Sequence, residues 1–199
     1  MARISLDPPR TLSYRLSEWF TRRRYGITLE PLAAMGHNMP VLRADAIFEL
    51  QVARWRKLDQ GLKDLAIMAA AAAIGCTWCM DFGYWEVTVN HRVPAEKIRA
   101  VPGWRDAAVF SETERLVLEY AEAMTATPPG VTDELTARLG RHLSEAELVE
   151  LTAVVAVENL RSRINSALGL AAQGFKDRCE IPATGAGLGS GVAGGPGPA

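Results

Sequence analysis

The sequence predicts an all-α fold. Three observations carry that reading. Apolar residues recur at three- and four-residue spacing in several long segments, two Ser-x-x-Glu capping signatures precede such segments, and few stretches alternate with a period of two. Residues 87–89 and 154–157 are rich in valine, but each stretch lies inside a longer helical pattern.

The elements follow in chain order. Residues 13–25 set Leu16, Trp19 and Phe20 among Arg15, Arg22, Arg23 and Arg24. This predicts an amphipathic helix that packs on the body or on a neighbouring subunit, with the arginines on a solvated face. Gly26 and Pro31 interrupt it. A second helix is expected over residues 44–58, with Ile47, Leu50 and Ala53 or Arg54 on a common stripe. Residues 62–74 form an apolar, alanine-rich run that Gly75 ends, and a new helix starts at the cysteines that follow. Pro94 fits the first turn of a short helix through Ile98, and Pro102-Gly103 then turns the chain. Ser111 and Glu114 have capping-box spacing and open a helix bearing Leu116, Val117, Tyr120 and Met124, which Pro128-Pro129-Gly130 stops. Ser144 and Glu147 repeat that logic before a long helix over residues 145–172, whose Leu148, Leu151, Val155 and Leu160 can face a core. Residues 183–199 are mostly Gly, Ala and Pro and cannot bury enough surface to order themselves. The expected organisation is an N-terminal helical arm (1–31), one helical domain (32–182) and a disordered tail (183–199).

Composition bounds the function. The chain has 199 residues and 48% hydrophobic content, enough for one well-cored domain. A net charge of −1 gives no bulk electrostatic reason to bind nucleic acid or an anionic membrane. The N-terminus lacks the apolar core of a signal peptide, and the longest apolar run, residues 65–74, is far too short to span a bilayer. A soluble cytoplasmic protein is expected, with neither nucleic acid nor membrane as partner.

Three cysteines are too few, and odd in number, for a secreted disulfide scaffold. Two of them form Cys76-Thr77-Trp78-Cys79. A thiol in the first turn of a helix feels the positive end of the macrodipole, which favours the thiolate. The pair therefore reads as a reactive dithiol. The competing reading is inert packing, since free cysteines are often buried as small hydrophobes. A zinc site would need four ligands, but Cys179 stands alone near the tail, and His37, His91 and His142 lack paired spacing. Asp64 also reads as a helix N-terminal acid favoured by the dipole. The His37-Asn38 pair suits a turn before Pro40. Glu158, Asn159 and Arg163 on the long helix read as ion-pair or oligomer contacts. The five tryptophans read as core and interface anchors.

The segment from Leu62 to Met68, continued through Gly75-Cys76-Thr77-Trp78-Cys79, resembles the core of the carboxymuconolactone decarboxylase superfamily, and within it the alkylhydroperoxidase D branch. Three further segments are similar: Gly36-His37-Asn38-Met39-Pro40-Val41-Leu42, residues 147–151, and residues 159–169 with Arg163, Asn165 and Ala167-Leu168-Gly169. The resemblance covers roughly residues 32–174. It implies an all-helical domain that assembles as a trimer or a multiple of one, and a redox-active dithiol that needs no metal or other cofactor.

The resemblance also implies site residues. An acidic residue twelve positions before the first cysteine belongs to the branch's proton relay. That position is Asp64 here, one methylene shorter than the usual Glu. The branch carries a histidine four residues after the second cysteine, where this chain has Gly83. The expected catalytic set is thus Cys76, Cys79 and Asp64, with His37, Glu86 and Trp78 as site-lining candidates. The implied activity is peroxiredoxin-like, an antioxidant thiol peroxidase. Cys79 attacks a hydroperoxide, Cys76 resolves the sulfenic acid, and a thiol or dithiol reductant restores the pair. Two alternatives stay open: a carboxymuconolactone decarboxylase-like lyase, in which no cysteine pair does the chemistry, and a non-catalytic oligomeric scaffold, which the loss of the histidine favours.

Overall fold

The computed structural model describes residues 2–178, and every described element is helical. The expected tail and Cys179 lie outside the described residues. The centre of the domain is helix α4 (Gln60–Ile74), which packs on α5 (Thr77–Val89), α7 (Glu112–Thr125) and α9 (Glu145–Leu168). Its sequence explains that position. Ala66, Ala69, Ala70 and Ala71 are buried, and such small side chains let three neighbouring helices approach one axis. Leu65 and Met68 fill the layer between, against Leu116, Val117, Leu118, Leu151 and Val155. Burial of this kind contributes about 25 cal/mol per Å² of apolar surface removed from water.

Local chemistry sets the helix ends. Asp59 caps α4, its carboxylate accepting from the Leu62 N–H. Both predicted capping boxes are present, Ser111 with Glu114 on α7 and Ser144 with Glu147 on α9. Each satisfies two donors that the first helical turn leaves free. Gly75 closes α4 at φ 76° and ψ 31°, a left-handed conformation that a Cβ disfavours.

Several boundaries differ from the sequence reading. Helix α3 spans Met39–Val52, starting five residues before the expected position 44, because Asn38 caps it and Pro40 fits its first turn. Its Ile47 and Leu50 do not face the core; they are 61% and 64% exposed, and Leu42 is the buried residue of α3. Two short helices escaped the periodicity: α2 (Glu30–Met35), where Pro31 starts a helix instead of only breaking one, and α8 (Asp133–Leu139), capped by Thr132. Pro94 is the residue before α6 (Ala95–Ala100) and not its first turn. Helix α9 stops at Leu168, where Gly169 takes φ 68°, and its Leu160 is exposed, not buried.

The N-terminal helix α1 (Leu12–Tyr25) packs inward through Tyr14 and Thr21, while Leu12, Leu16, Trp19 and Phe20 point outward. The strand of chain before it is tied to α9, whose last carbonyls accept hydrogen bonds from Arg3: Nη1 to Ser166 and Ala167, and the amide to Leu168. Among the described residues no helix is long and apolar enough to cross a membrane.

Candidate functional site

Helix α5 positions the cysteines. Cys76 is its N-cap in extended conformation, and the Cys79 N–H points at the Cys76 sulfur at 3.2 Å. The two sulfurs are joined as a disulfide, with the Cα atoms 5.3 Å apart. Both cysteines are enclosed, Cys76 at 1% exposure and Cys79 at 8%. Cys76 is thus just outside the first turn, at the positive end of the α5 dipole.

The walls come from three directions. Ala71 of α4 lies beneath the pair. Trp78 stacks on Phe82 with ring centroids 5.0 Å apart and donates its indole N–H to Gln173 at 2.8 Å. Phe82 also meets Tyr25 and Phe175, so an aromatic cluster covers the outer face of α5. Asp81 fastens the C-terminal segment over it, accepting from the backbone N–H groups of Gln173, Phe175 and Lys176 at 2.7–3.0 Å. The third wall is α9. Ser162 Oγ lies 3.3 Å from the Cys79 sulfur and Asn165 Nδ2 approaches it at 3.4 Å.

Behind Ser162 stands Glu158, one helical turn back. Its Oε1 accepts from the Ser162 hydroxyl at 2.6 Å, and its Oε2 lies 3.5 Å from Arg161 Nη1. Arg161 is held mainly by Glu49 of α3, which takes both Nε and Nη2. Glu158 is 3% exposed. Burial pushes its carboxyl up to about 7, against the opposing pull of Arg161 and Ser162.

The candidates from the sequence fall into different places. Asp64 is buried on α4, and its carboxylate is taken up by Arg92, at 2.6 Å to Nε, and by Gln60 at 3.1 Å. Burial raises its pKa, and Arg92 opposes that shift. Glu86 is half-buried, and burial raises it too, with Arg92 pulling it down and Asp64 pushing it up. His37 is exposed and its Nε2 meets the Ser5 carbonyl oxygen at 2.8 Å, tying down the N-terminal segment. The space that a histidine at position 83 would need is filled by Met68, whose Sδ would lie 2.6 Å from a Cβ built on Gly83. A cleft of about 800 Å³ runs past Gly75 and Thr77, over Met68 and Met80, to Tyr84 and Arg99. It flanks the cysteine pair without either sulfur lining it.

Ser162, Asn165 and Glu158 were not read from the sequence as parts of the dithiol site. The available signal was their spacing. Residues 158, 162 and 165 form a polar row within a helix face otherwise buried through Leu151, Val154, Val155 and Val157. Among the described residues no group of three or more His, Cys, Asp or Glu side chains could hold a metal ion.

Known proteins share this arrangement of helices. The family model "Carboxymuconolactone decarboxylase family" matches residues 40–123. The uncharacterized protein YnjA of Escherichia coli (strain K12) is 37% identical over 172 residues, covering 86% of this chain and 92% of that protein. The chain belongs to the carboxymuconolactone decarboxylase family. Solved members of the fold include a peroxidase-related protein from Ralstonia eutropha JMP134, described as an alkylhydroperoxidase AhpD core. It is 16% identical, has a TM-score of 0.73, and covers 88% of this chain and 94% of its own. The debrominase Bmp8, in complex with 2,3,4-tribromopyrrole, is 20% identical with a TM-score of 0.72, covering 90% of this chain and all of its own. At these identities the two structures establish a common fold.

Proposed function

We propose that the protein is a thiol-dependent oxidoreductase that reduces hydroperoxides through a dithiol–disulfide cycle of Cys76 and Cys79. The observation that carries this reading is the pairing of the two sulfurs at the start of α5, with Cys79 facing two side-chain donors on α9. A Cys79 thiolate there would be stabilised by Asn165 Nδ2 and by the Ser162 hydroxyl. Cys79 is also the more exposed of the pair, which favours it as the attacking residue.

The cycle balances in three steps. The Cys79 thiolate attacks one peroxide oxygen, the O–O bond breaks, and an alcohol leaves with one added proton, giving Cys79 sulfenic acid. The Cys76 thiol attacks that sulfur, the S–S bond forms and water departs. A dithiol or a protein thiol reductant then restores both thiols through a mixed disulfide. Such a cycle suits a reducing compartment such as the cytoplasm. The cleft beside Gly75 and Thr77 is the proposed path for substrate, with Met68, Met80, Arg99 and Lys176 among its lining.

Free thiols counted before and after hydroperoxide, and again after a dithiol, test the reading. Reversible loss of two thiols per chain is expected. The variant Cys79→Ser should lose peroxide consumption, and Cys76→Ser should accumulate a sulfenic acid that a dimedone-type reagent traps. No thiol loss would reject the peroxidase reading and leave the lyase or scaffold alternatives, which turnover of a carboxylated lactone would separate. We further propose a homo-oligomer of this chain, a trimer or a multiple of one. The outward Leu12, Leu16, Trp19 and Phe20 of α1 and Ile47 and Leu50 of α3 are apolar surface that a second copy would cover. Light scattering at micromolar concentration checks this, and a stable monomer would refute it.

A further inference from the structure

We propose that Ser162 and Glu158 form the proton relay of the dithiol: Ser162 takes the Cys79 proton while passing its own to Glu158. This rests on the dithiol reading above and adds the residues that would move its proton. The geometry is a continuous chain. Cys79 Sγ lies 3.3 Å from Ser162 Oγ, which lies 2.6 Å from Glu158 Oε1. A serine hydroxyl has one proton and two acceptor sites, so it can accept from a thiol and donate to a carboxylate at once. Shifting both protons one step gives a thiolate and a carboxylic acid, with the hydroxyl now donating to sulfur. Asn165 Nδ2, at 3.4 Å, is the second donor to that thiolate.

Burial keeps the relay dry and directional. Ser162, Glu158 and Asn165 are all buried, and the charged groups facing Glu158 are Arg161 on its own helix and Glu49 on α3. A carboxyl poised near 7 can take a thiol proton and give it back near neutral pH, which an ordinary glutamate does poorly. When the O–O bond breaks, the departing alkoxide takes one proton from solvent and Glu158 later releases the thiol's proton, so the proton count closes. Ser162 touches the reacting sulfur and is the catalytic residue of the relay. Glu158 acts through it as a positioning residue and proton store.

The test is the pH titration of the reduced protein, read by thiolate ultraviolet absorbance and by the rate of alkylation with iodoacetamide. A shared proton makes the Cys79–Glu158 pair of the wild type titrate in two macroscopic steps, with part of the Cys79 thiolate formed in the lower one. In Glu158→Gln and in Ser162→Ala the lower step should vanish. The variant Ser162→Thr, which keeps a hydroxyl, should retain the step, a rescue that mere packing of position 162 would not predict. The proposal is overturned if Glu158→Gln keeps both steps, or if Asp64→Asn removes the lower step while Glu158→Gln does not. Should the glutamine variant fold poorly, the wild type still decides. Thiolate absorbance should appear in the lower step while part of its carboxylic-acid C=O infrared band survives to the upper one, and a band lost whole in the lower step with no thiolate formed refutes the relay. None of these readouts requires peroxide turnover, so a protein that ignores peroxide yet shows the two-step titration would reject the substrate and keep the relay.

Discussion

Replacing Glu158 with glutamine should stabilise the protein at alkaline pH. The folded carboxyl sits at about 7 against an ordinary value of 4.5, because burial penalises its charge more than Arg161 and Ser162 reward it. A carboxyl whose folded pKa is raised contributes stability that is fully present below 4.5 and is lost as pH rises through 7. The separation of the two values corresponds to about 3 kcal/mol between those limits, at roughly 1.4 kcal/mol per pH unit. Glutamine resembles the protonated acid at every pH and still offers an oxygen to the Ser162 hydroxyl. The variant should therefore match the wild type near pH ~4 and exceed it by up to about 3 kcal/mol near pH ~8. For a chain of this size that gap is worth roughly 6–12 °C in Tm. The assay is urea unfolding of the oxidised protein at both pH values, where the disulfide removes thiol ionisation from the comparison. Taking the difference between variant and wild type cancels the other shifted carboxyls, Asp45, Asp64 and Glu86 among them. A constant offset at the two pH values would refute the reasoning.

Three further outcomes are expected. Lys63→Met leaves Glu150 buried without its 2.7 Å partner and should cost about 3–5 kcal/mol in chemical denaturation, while Lys63→Met combined with Glu150→Leu should recover most of that. Gly83→Ala drives a Cβ to 2.6 Å from Met68 Sδ and should cost about 1–3 kcal/mol by overpacking, with Met68→Ala added to it giving less than the summed loss; by the same contact, Gly83→His needs Met68 moved before it could add a base to the site. At Gly75→Ala nothing lies within 4 Å of the new Cβ, so the expected loss of about 1–2 kcal/mol in Tm-derived stability comes from the φ of +76° alone.

The fold was legible where a signal is local. Both capping boxes, the stop at Gly75 and the helix start at the cysteines are decided by residues within one turn of each other, and all stand as read. The short helices α2 and α8 were missed because six or seven residues hold too little periodicity to register. The stripe on α3 was visible, but periodicity says only that a face is apolar, not what covers it, and Ile47 and Leu50 turned out exposed. The pairing of Cys76 with Cys79 was legible in the same local way. The wall opposite it was not, because Cys79 and Ser162 are 83 residues apart in sequence and meet only through the packing of α5 on α9. A polar row at 158, 162 and 165 within an apolar helix face was the one hint.

Two glutamates on α9 show how much the surroundings decide. Glu150 and Glu158 share a helix and are both buried. Glu150 has Lys63 at 2.7 Å and the Lys57 amide at 2.7 Å. Against the cost of burial, those partners hold its carboxyl below the ordinary range. Glu158 has its cation 3.5 Å away, and that cation is already engaged on two nitrogens by Glu49. What remains for it is one hydroxyl, and that hydroxyl also touches the Cys79 sulfur. A carboxylate needed only to join α9 to its neighbours would gain from the arrangement around Glu150. The competing claim of Glu49 on Arg161 keeps Glu158 from being neutralised the same way and leaves its proton free to move near neutral pH. Removing that competition, as Glu49→Gln would, should give Arg161 to Glu158 and pull its carboxyl down, leaving the acid in place but no longer matched to a thiol.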